Sequence, residues 1–170
     1  VEIENITESD IEEIVSLFYE TVHSVNAKDY SRAQLNAWAP EEEREAVMKS
    51  WKESLSRNIA VAAKVNGTIA GFSDLTRNGR LDRLFVHKEH QRQGIASALV
   101  DVLEAEAKKQ GVTEIQTEAS VTARPFFERR GYKVICPQTV ERKGVKLVNF
   151  KMKKNLAPSD EKQLEAEYEK

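Results

Sequence analysis

Two Asn-Gly dipeptides restrict the fold of this chain more than any other feature. Asn66-Gly67 separates the runs Ile59–Val65 and Thr68–Leu75, and Asn78-Gly79 lies before a third run, Arg80–Val86. Asn-Gly favours the tight turn that sends a strand straight back beside itself. The three runs therefore read as an antiparallel meander. Its last strand ends in apolar Leu84-Phe85-Val86 and passes through a short charged link into Gln91-Arg92-Gln93-Gly94-Ile95-Ala96. From there Ile95, Leu99, Val102, Leu103 and Ala107 recur at helical spacing, and Gly111 is placed to end the helix. A strand feeding a glycine-led helix start makes an anion site. The first amides of a helix have no internal partner, and the helix dipole adds positive potential there. Gly94 lets a phosphate approach the backbone, Ala96 keeps the next turn clear, and Arg92 can add a charge-assisted contact. No Gly-Lys-Ser/Thr follows and a single glycine is present, so this is neither a Walker loop nor a dinucleotide fingerprint.

Upstream, residues 1–6 alternate as a first strand does. Ser9 with Glu12 reads as a capping box for a helix over about 10–23, in which Ile11, Ile14, Val15, Phe18 and Val22 share a face. Ser31 with Gln34 offers a second box, opening a short helix that Pro40 ends just after Trp38. The acidic run Glu41–Glu43 suits the start of a third helix, which buries Val47, Met48, Trp51 and Leu55. Downstream, residues 112–119 form a strand, and Pro125 stands in the first turn of a helix that Gly131 ends. Strand pieces at 132–136 and 139–142 and a turn at Lys143-Gly144 lead into 145–152. The order is β-α-α-α-β-β-β-α-β-α-β-β, an α/β (α+β) chain with one domain over residues 1–154. Residues 155–170 lose apolar periodicity and read as a loose acidic tail.

Composition narrows the function. The formal charge of -2 gives no electrostatic basis for a nucleic-acid partner. No run approaches the roughly 20 apolar residues of a membrane span. A lone cysteine, Cys136, excludes an internal disulfide framework and points to a reducing cytoplasm. It follows Val134 and Ile135 without an activating neighbour and reads as a structural thiol. His87 and His90 lack a third ligand at metal-binding spacing, so they read as loop histidines and no metal is expected.

Gln91-x-x-Gly94-x-Ala96, set between strand and helix, resembles the pyrophosphate-binding motif of the GNAT (GCN5-related N-acetyltransferase) superfamily, Gln/Arg-x-x-Gly-x-Gly/Ala. The element order over about 2–154 is also that family's layout. Ala123-Arg124-Pro125-Phe126-Phe127-Glu128-Arg129-Arg130-Gly131-Tyr132 resembles its Ala-x-x-x-Tyr-x-x-x-Gly-Phe segment. Tyr30-Ser31-x-x-Gln34-Leu35-x-Ala37-Trp38-Ala39-Pro40, with Val140-Glu141-Arg142-Lys143-Gly144 and Asn149-Phe150, is similar to a bacterial subgroup, the YafP-like acetyltransferases.

The resemblance implies a mixed, mostly antiparallel sheet of six to seven strands with four to five helices. It implies acetyl-coenzyme A as cofactor, direct transfer to a primary amine (small molecule or peptide) in a ternary complex, and a homodimer as a common assembly. Gln91, Arg92, Gln93, Gly94, Ile95, Ala96 and Ser97 would hold the pyrophosphate. The backbone of Leu84, Phe85 and Val86 would pair with the pantetheine arm, entering where this strand splays from the next around 117–119. An N–H near Val86 would face the developing oxyanion. Phe127 stands on the cofactor side where the family carries a tyrosine, and it cannot protonate a leaving thiolate; Ser120, Thr122 or a water are the substitutes. An alkylammonium, with a pKa of about 10.4, needs a route for its proton. Asp82 and Glu118, on the two strands flanking the cleft, are the alternative bases. Tyr30, Trp38 and His23 lie in elements that line the acceptor side. A second reading keeps fold and cofactor but drops turnover, with Phe127 marking the loss. A third, ATP binding at the same helix start, is opposed by the missing Gly-Lys-Ser/Thr.

Overall fold

Asn66 and Gly67 take φ values of 52° and 79°, so the first Asn-Gly closes the expected two-residue turn. The second turn differs. There only Gly79 has a positive φ, and Thr76 holds a four-residue loop by accepting the Arg80 N–H on its hydroxyl (2.9 Å) and donating its own N–H to the Arg80 carbonyl (2.8 Å). The structure, a computed structural model, describes residues 1–157, so the expected acidic tail falls almost wholly outside the described residues.

The elements in chain order are β1 (Glu2–Asn5), α1 (Ile11–Ser24), α2 (Arg32–Trp38), α3 (Arg44–Arg57), β2 (Ile59–Val65), β3 (Thr68–Leu75), β4 (Arg80–Val86), α4 (Ile95–Lys109), β5 (Glu114–Ser120), α5 (Arg124–Arg129), β6 (Lys133–Arg142) and β7 (Val145–Asn155). They build one seven-stranded sheet in the order β1-β2-β3-β4-β5-β7-β6, antiparallel except between β4 and β5. The sequence expectation of strand and helix order holds throughout. Three details are corrected. Helix α1 is entered through Thr7 and Asp10 rather than Ser9 and Glu12: the Asp10 carboxylate accepts the Thr7 N–H (2.9 Å) and hydroxyl (3.1 Å). The strand pieces at 132–136 and 139–142 are one strand, β6, with a bulge between Val134 and Cys136. Cys136 is exposed on that edge strand rather than structural.

Strand alternation divides the core in two. Ala60, Ala62 and Phe72 face α1, α2 and α3, whereas Val61, Ala63, Leu81 and Val86 face α4 and α5 with Leu99, Leu103 and Phe127. Small residues let α4 settle close to the sheet. A Cβ on Gly71 would stand 3.0 Å from the Phe85 carbonyl oxygen and 3.1 Å from Ile95, so any side chain there would have to press β4 or the start of α4 outward by a few tenths of an ångström. On the rear of α4, buried Glu104 accepts from the Tyr132 hydroxyl (2.8 Å) and pairs with Lys154 (2.9 Å) and Arg130 (3.3 Å). That cluster ties α4 to β7 and to the turn after α5.

Strand β4 carries a further irregularity: Asp74 pairs with Arg83 but Leu75 with Leu81, leaving Asp82 as an extra residue. A bulge turns neighbouring side chains to one face. Arg83 goes inward to a buried ion pair with Asp74, donates to the Ser54 hydroxyl (2.8 Å) and lies over the Trp51 ring (4.7 Å). Burial pushes the Asp74 carboxyl up, against the pull of Arg83 and of Asn58, which donates to it at 2.8 Å. Asp82 is left free to turn along the strand.

Candidate active site

Strands β4 and β5 are paired only at Arg80–Gln116 and Leu81–Thr117. The Thr117 hydroxyl makes the last link, donating to the Leu81 carbonyl at 2.8 Å. Beyond it each strand follows its antiparallel neighbour: β4 stays on β3 as far as Val86–Gly71, and β5 stays on β7 as far as Ser120–Asn149. A wedge opens between them. The His87 N–H donates to the Ala70 carbonyl (2.8 Å), so by ladder alternation Phe85 also turns its backbone to β3, and Leu84 and Val86 turn theirs into the wedge. The Val86 carbonyl is taken by the Gln91 side-chain amide. On β4, what faces the wedge without a strand partner is the N–H and C=O of Leu84 and the N–H of Val86. Phe85, grouped with these two in the sequence reading, instead sends its ring into an aromatic cluster with Phe18, Phe72 and Trp38.

At the open end of the wedge the chain makes a cradle of amides. Arg92 and Gly94 both have left-handed φ values, 61° and 80°, and residues of this kind aim neighbouring N–H groups to one side. The first helical bond is from the Ala98 N–H to the Gly94 carbonyl (3.0 Å), so the N–H groups of Ile95, Ala96 and Ser97 have no carbonyl to reach. A Cβ on Gly94 would meet nothing within 4 Å, so internal packing does not demand the glycine; φ and outside access do. Ile95 is 2% exposed and contributes its backbone alone. Gln91 braces the loop through Val86, and Gln93 reaches the Glu89 carbonyl (3.4 Å). His87 pins the same loop to α1, with Nε2 2.8 Å from Glu20 while Nδ1 accepts the Glu89 N–H (3.2 Å). His90 Nδ1 is buried without a partner.

At the closed end stand the two carboxylates the sequence reading left as alternatives. Asp82 and Glu118 are each the first residue past the last paired position of their strand. Arg80 joins them, with Nε 3.1 Å from Asp82 and Nη2 3.2 Å from Glu118. Arg80 and Asp82, two residues apart on β4, share a face by strand alternation, and Glu118 meets them there from β5.

An unpaired strand edge leading onto an amide cradle is what the family resemblance requires, and comparison with known proteins agrees. Residues 26–154 match the family described as "Acetyltransferase (GNAT) domain". This chain belongs to the GNAT acetyltransferase family. The acetyltransferase is 33% identical over 153 residues to "Uncharacterized N-acetyltransferase YafP" of Escherichia coli K12, covering 90% of this chain and 95% of that one. A GCN5-related N-acetyltransferase crystal structure from Rhodopseudomonas palustris superposes with a TM-score of 0.85 at 29% identity, covering 91% of this chain and 95% of that one. The PaiA N-acetyltransferase of Thermoplasma acidophilum, solved in complex with coenzyme A, shares the fold with a TM-score of 0.70 at 21% identity, covering 91% and 98%.

The acetyltransferase positions its other sequence-nominated residues less openly. The Tyr30 hydroxyl donates to the Val148 carbonyl (2.9 Å) and accepts the Val121 N–H (2.9 Å), clamping the α1–α2 connection to the ends of β5 and β7. Burial raises the pKa of that phenol, against the Val121 bond. Trp38 packs on Tyr30 and Phe85, with ring centroids 5.5 and 6.1 Å apart. His23 donates to the Ala39 carbonyl (2.8 Å), fixing the end of α2. Phe127 is 2% exposed among Phe126 and Tyr132. Of the substitutes considered for its missing hydroxyl, Thr122 donates its proton to Asp29 (2.8 Å), while Ser120 accepts the Ala123 N–H (3.0 Å) and keeps its own proton to give.

Proposed function

We propose that this acetyltransferase holds acetyl-coenzyme A in the wedge between β4 and β5 and passes the acetyl group directly to a primary amine in a ternary complex. The observation that carries the reading is the two sets of partnerless backbone groups at one opening, the Leu84 and Val86 groups on β4 and the amides of residues 95–97 at the head of α4. A ligand with an amide-bearing arm and a diphosphate matches both ends of it. When bound, that ligand supplies an activated thioester carbonyl. The Leu84 and Val86 N–H groups are the donors positioned to stabilise negative charge on its oxygen. Asp82 or Glu118 takes the ammonium proton through water. With the Tyr30 and Thr122 hydroxyl protons committed, Ser120 or a water is the proton donor left for the departing thiolate; losing the bare thiolate, with a thiol pKa near 8.5, is about 2 kcal/mol worse than losing the thiol at pH 7.

The test is calorimetric titration with acetyl-coenzyme A and with ATP, followed by a free-thiol assay against a panel of primary amines. Saturable acetyl-coenzyme A binding that ATP does not match, with amine-dependent thiol release, is the expected outcome. Binding without thiol release from any amine would assign the coenzyme-holding module instead. Absence of binding would overturn both.

A further inference from the structure

The side chain between the two candidate bases has no part in the reaction just described. Arg80 begins β4 and is fixed through its backbone, whose N–H and C=O both bond to Thr76. Its side chain is 54% exposed, yet it lies across the closed end of the wedge with one nitrogen on Asp82 and another on Glu118. Lys151, opposite Glu118 in the β5–β7 register, makes no ion pair with it, so the guanidinium is the cation these two carboxylates share. An exposed guanidinium holds such pairs loosely, because water and salt compete for both partners. A protonated amine approaching either carboxylate, directly or through a water, therefore meets this positive charge first.

We propose that Arg80 is a specificity-determining residue, an internal cation that acceptor amines must displace from Asp82 and Glu118. The inference rests on the acetyl-transfer reading and goes beyond it by assigning the acceptor's charge. Two carboxylates against one arginine leave a single net negative charge, which suits an acceptor carrying one positive charge near its reacting nitrogen and discriminates against a second. Removing the guanidinium therefore improves binding of cationic acceptors, and more so as their charge rises. A residue that merely supported the fold would do the opposite.

Butylamine and 1,4-diaminobutane make the comparison, since they match in length and differ by one ammonium group. With acetyl-coenzyme A saturating, Arg80→Gln is expected to lower KM about threefold for butylamine and tenfold or more for 1,4-diaminobutane, with kcat changed by less than threefold. The difference should fade in 0.5 M salt, and Arg80→Lys should keep the parent ratio. Coenzyme affinity, read separately by calorimetry, should not change. A second readout needs no turnover: the Arg80 Nε–H resonance should shift or exchange faster as 1,4-diaminobutane is added to the coenzyme-bound protein. An unchanged or raised KM in Arg80→Gln, or an unmoved resonance at saturating amine, overturns the proposal while leaving acetyl transfer intact. Failure of the parent protein to acetylate any amine overturns the underlying reading, and is seen before a variant is made.

Discussion

Replacing Gly94 with alanine separates two reasons for a glycine to stand at the head of α4. At a φ of 80° an L-residue pays for left-handed backbone, about 1–2 kcal/mol. The new Cβ meets nothing within 4 Å, so no packing term is added. For a domain of this size each kcal/mol moves the melting temperature by roughly 2–4 °C. Gly94→Ala should therefore melt about 2–8 °C lower, by circular dichroism without ligand. Gly79 supplies the contrast: its φ is 100°, and a Cβ there would lie 2.7 Å from the Glu114 carbonyl oxygen and 2.8 Å from Val112. Backbone must move, so Gly79→Ala should lose more stability than Gly94→Ala. Coenzyme A binding should rank the other way. The alanine methyl at 94 would stand at the mouth of the proposed diphosphate site, and calorimetry well below either melting point should show at least tenfold weaker binding. Gly79→Ala should stay within about threefold of the parent. A Gly94→Ala protein that loses its few degrees but binds coenzyme A as the parent does would refute the argument. The glycine would then serve φ alone, and the cradle at residues 95–97 would not hold the diphosphate.

Other consequences follow from single residues. Leu99 is fully buried under α4, so Leu99→Ala should cost about 2–5 kcal/mol, read as a lowered urea midpoint. Phe127→Tyr places a hydroxyl among Phe126, Tyr132 and other apolar neighbours; without a partner it should cost about 1–3 kcal/mol, and a rise in turnover without that cost would show that the ring edge reaches the wedge. At Asp10 burial works against ionisation, but the Thr7 bonds and the Lys64 charge outweigh it and hold the carboxyl below the usual range. A depressed folded pKa gives stability that is complete above the ordinary aspartate value near 3.9 and is lost as pH falls through the folded value. Asp10→Asn should thus be about 1 kcal/mol less stable than the parent at pH 7, with the gap closing below about pH 4 in urea titrations.

Order and kind of every helix and strand were legible because each carries its own signal: a box at Ser31 and Gln34, a glycine at 94, alternation at 112–119. Local ambiguity misled at the first helix, where Thr7 with Asp10 and Ser9 with Glu12 offer the same chemistry two residues apart, and packing chose between them. The cleft was legible through family likeness, but its details were not. Arg83 is turned inward to Asp74 by a bulge that shows only in the register with β3, and Arg80 reaches two carboxylates 2 and 38 residues away in sequence, the second on another strand. Sequence leaves Tyr30 between an acceptor wall and a packing residue; its bonds to Val121 and Val148, 91 and 118 residues on, are visible only in the fold. The left-handed Arg92 has no sequence mark, since nothing in an arginine announces positive φ.

A sheet joined at its centre by two rungs is mechanically two plates. One is β1 to β4 and the other β5, β7 and β6, and between Leu81–Thr117 and the wedge mouth nothing in the backbone resists their spreading or closing. Whatever fills the gap supplies the missing rungs along β4, so occupancy would be felt as stiffness across the whole molecule. Hydrogen exchange at Leu84, Val86 and the end of β5 would slow together, and unfolding resistance would climb with the logarithm of ligand concentration. The empty protein would then be the more pliable form, with an amine meeting a finished sheet only after the first ligand is in place.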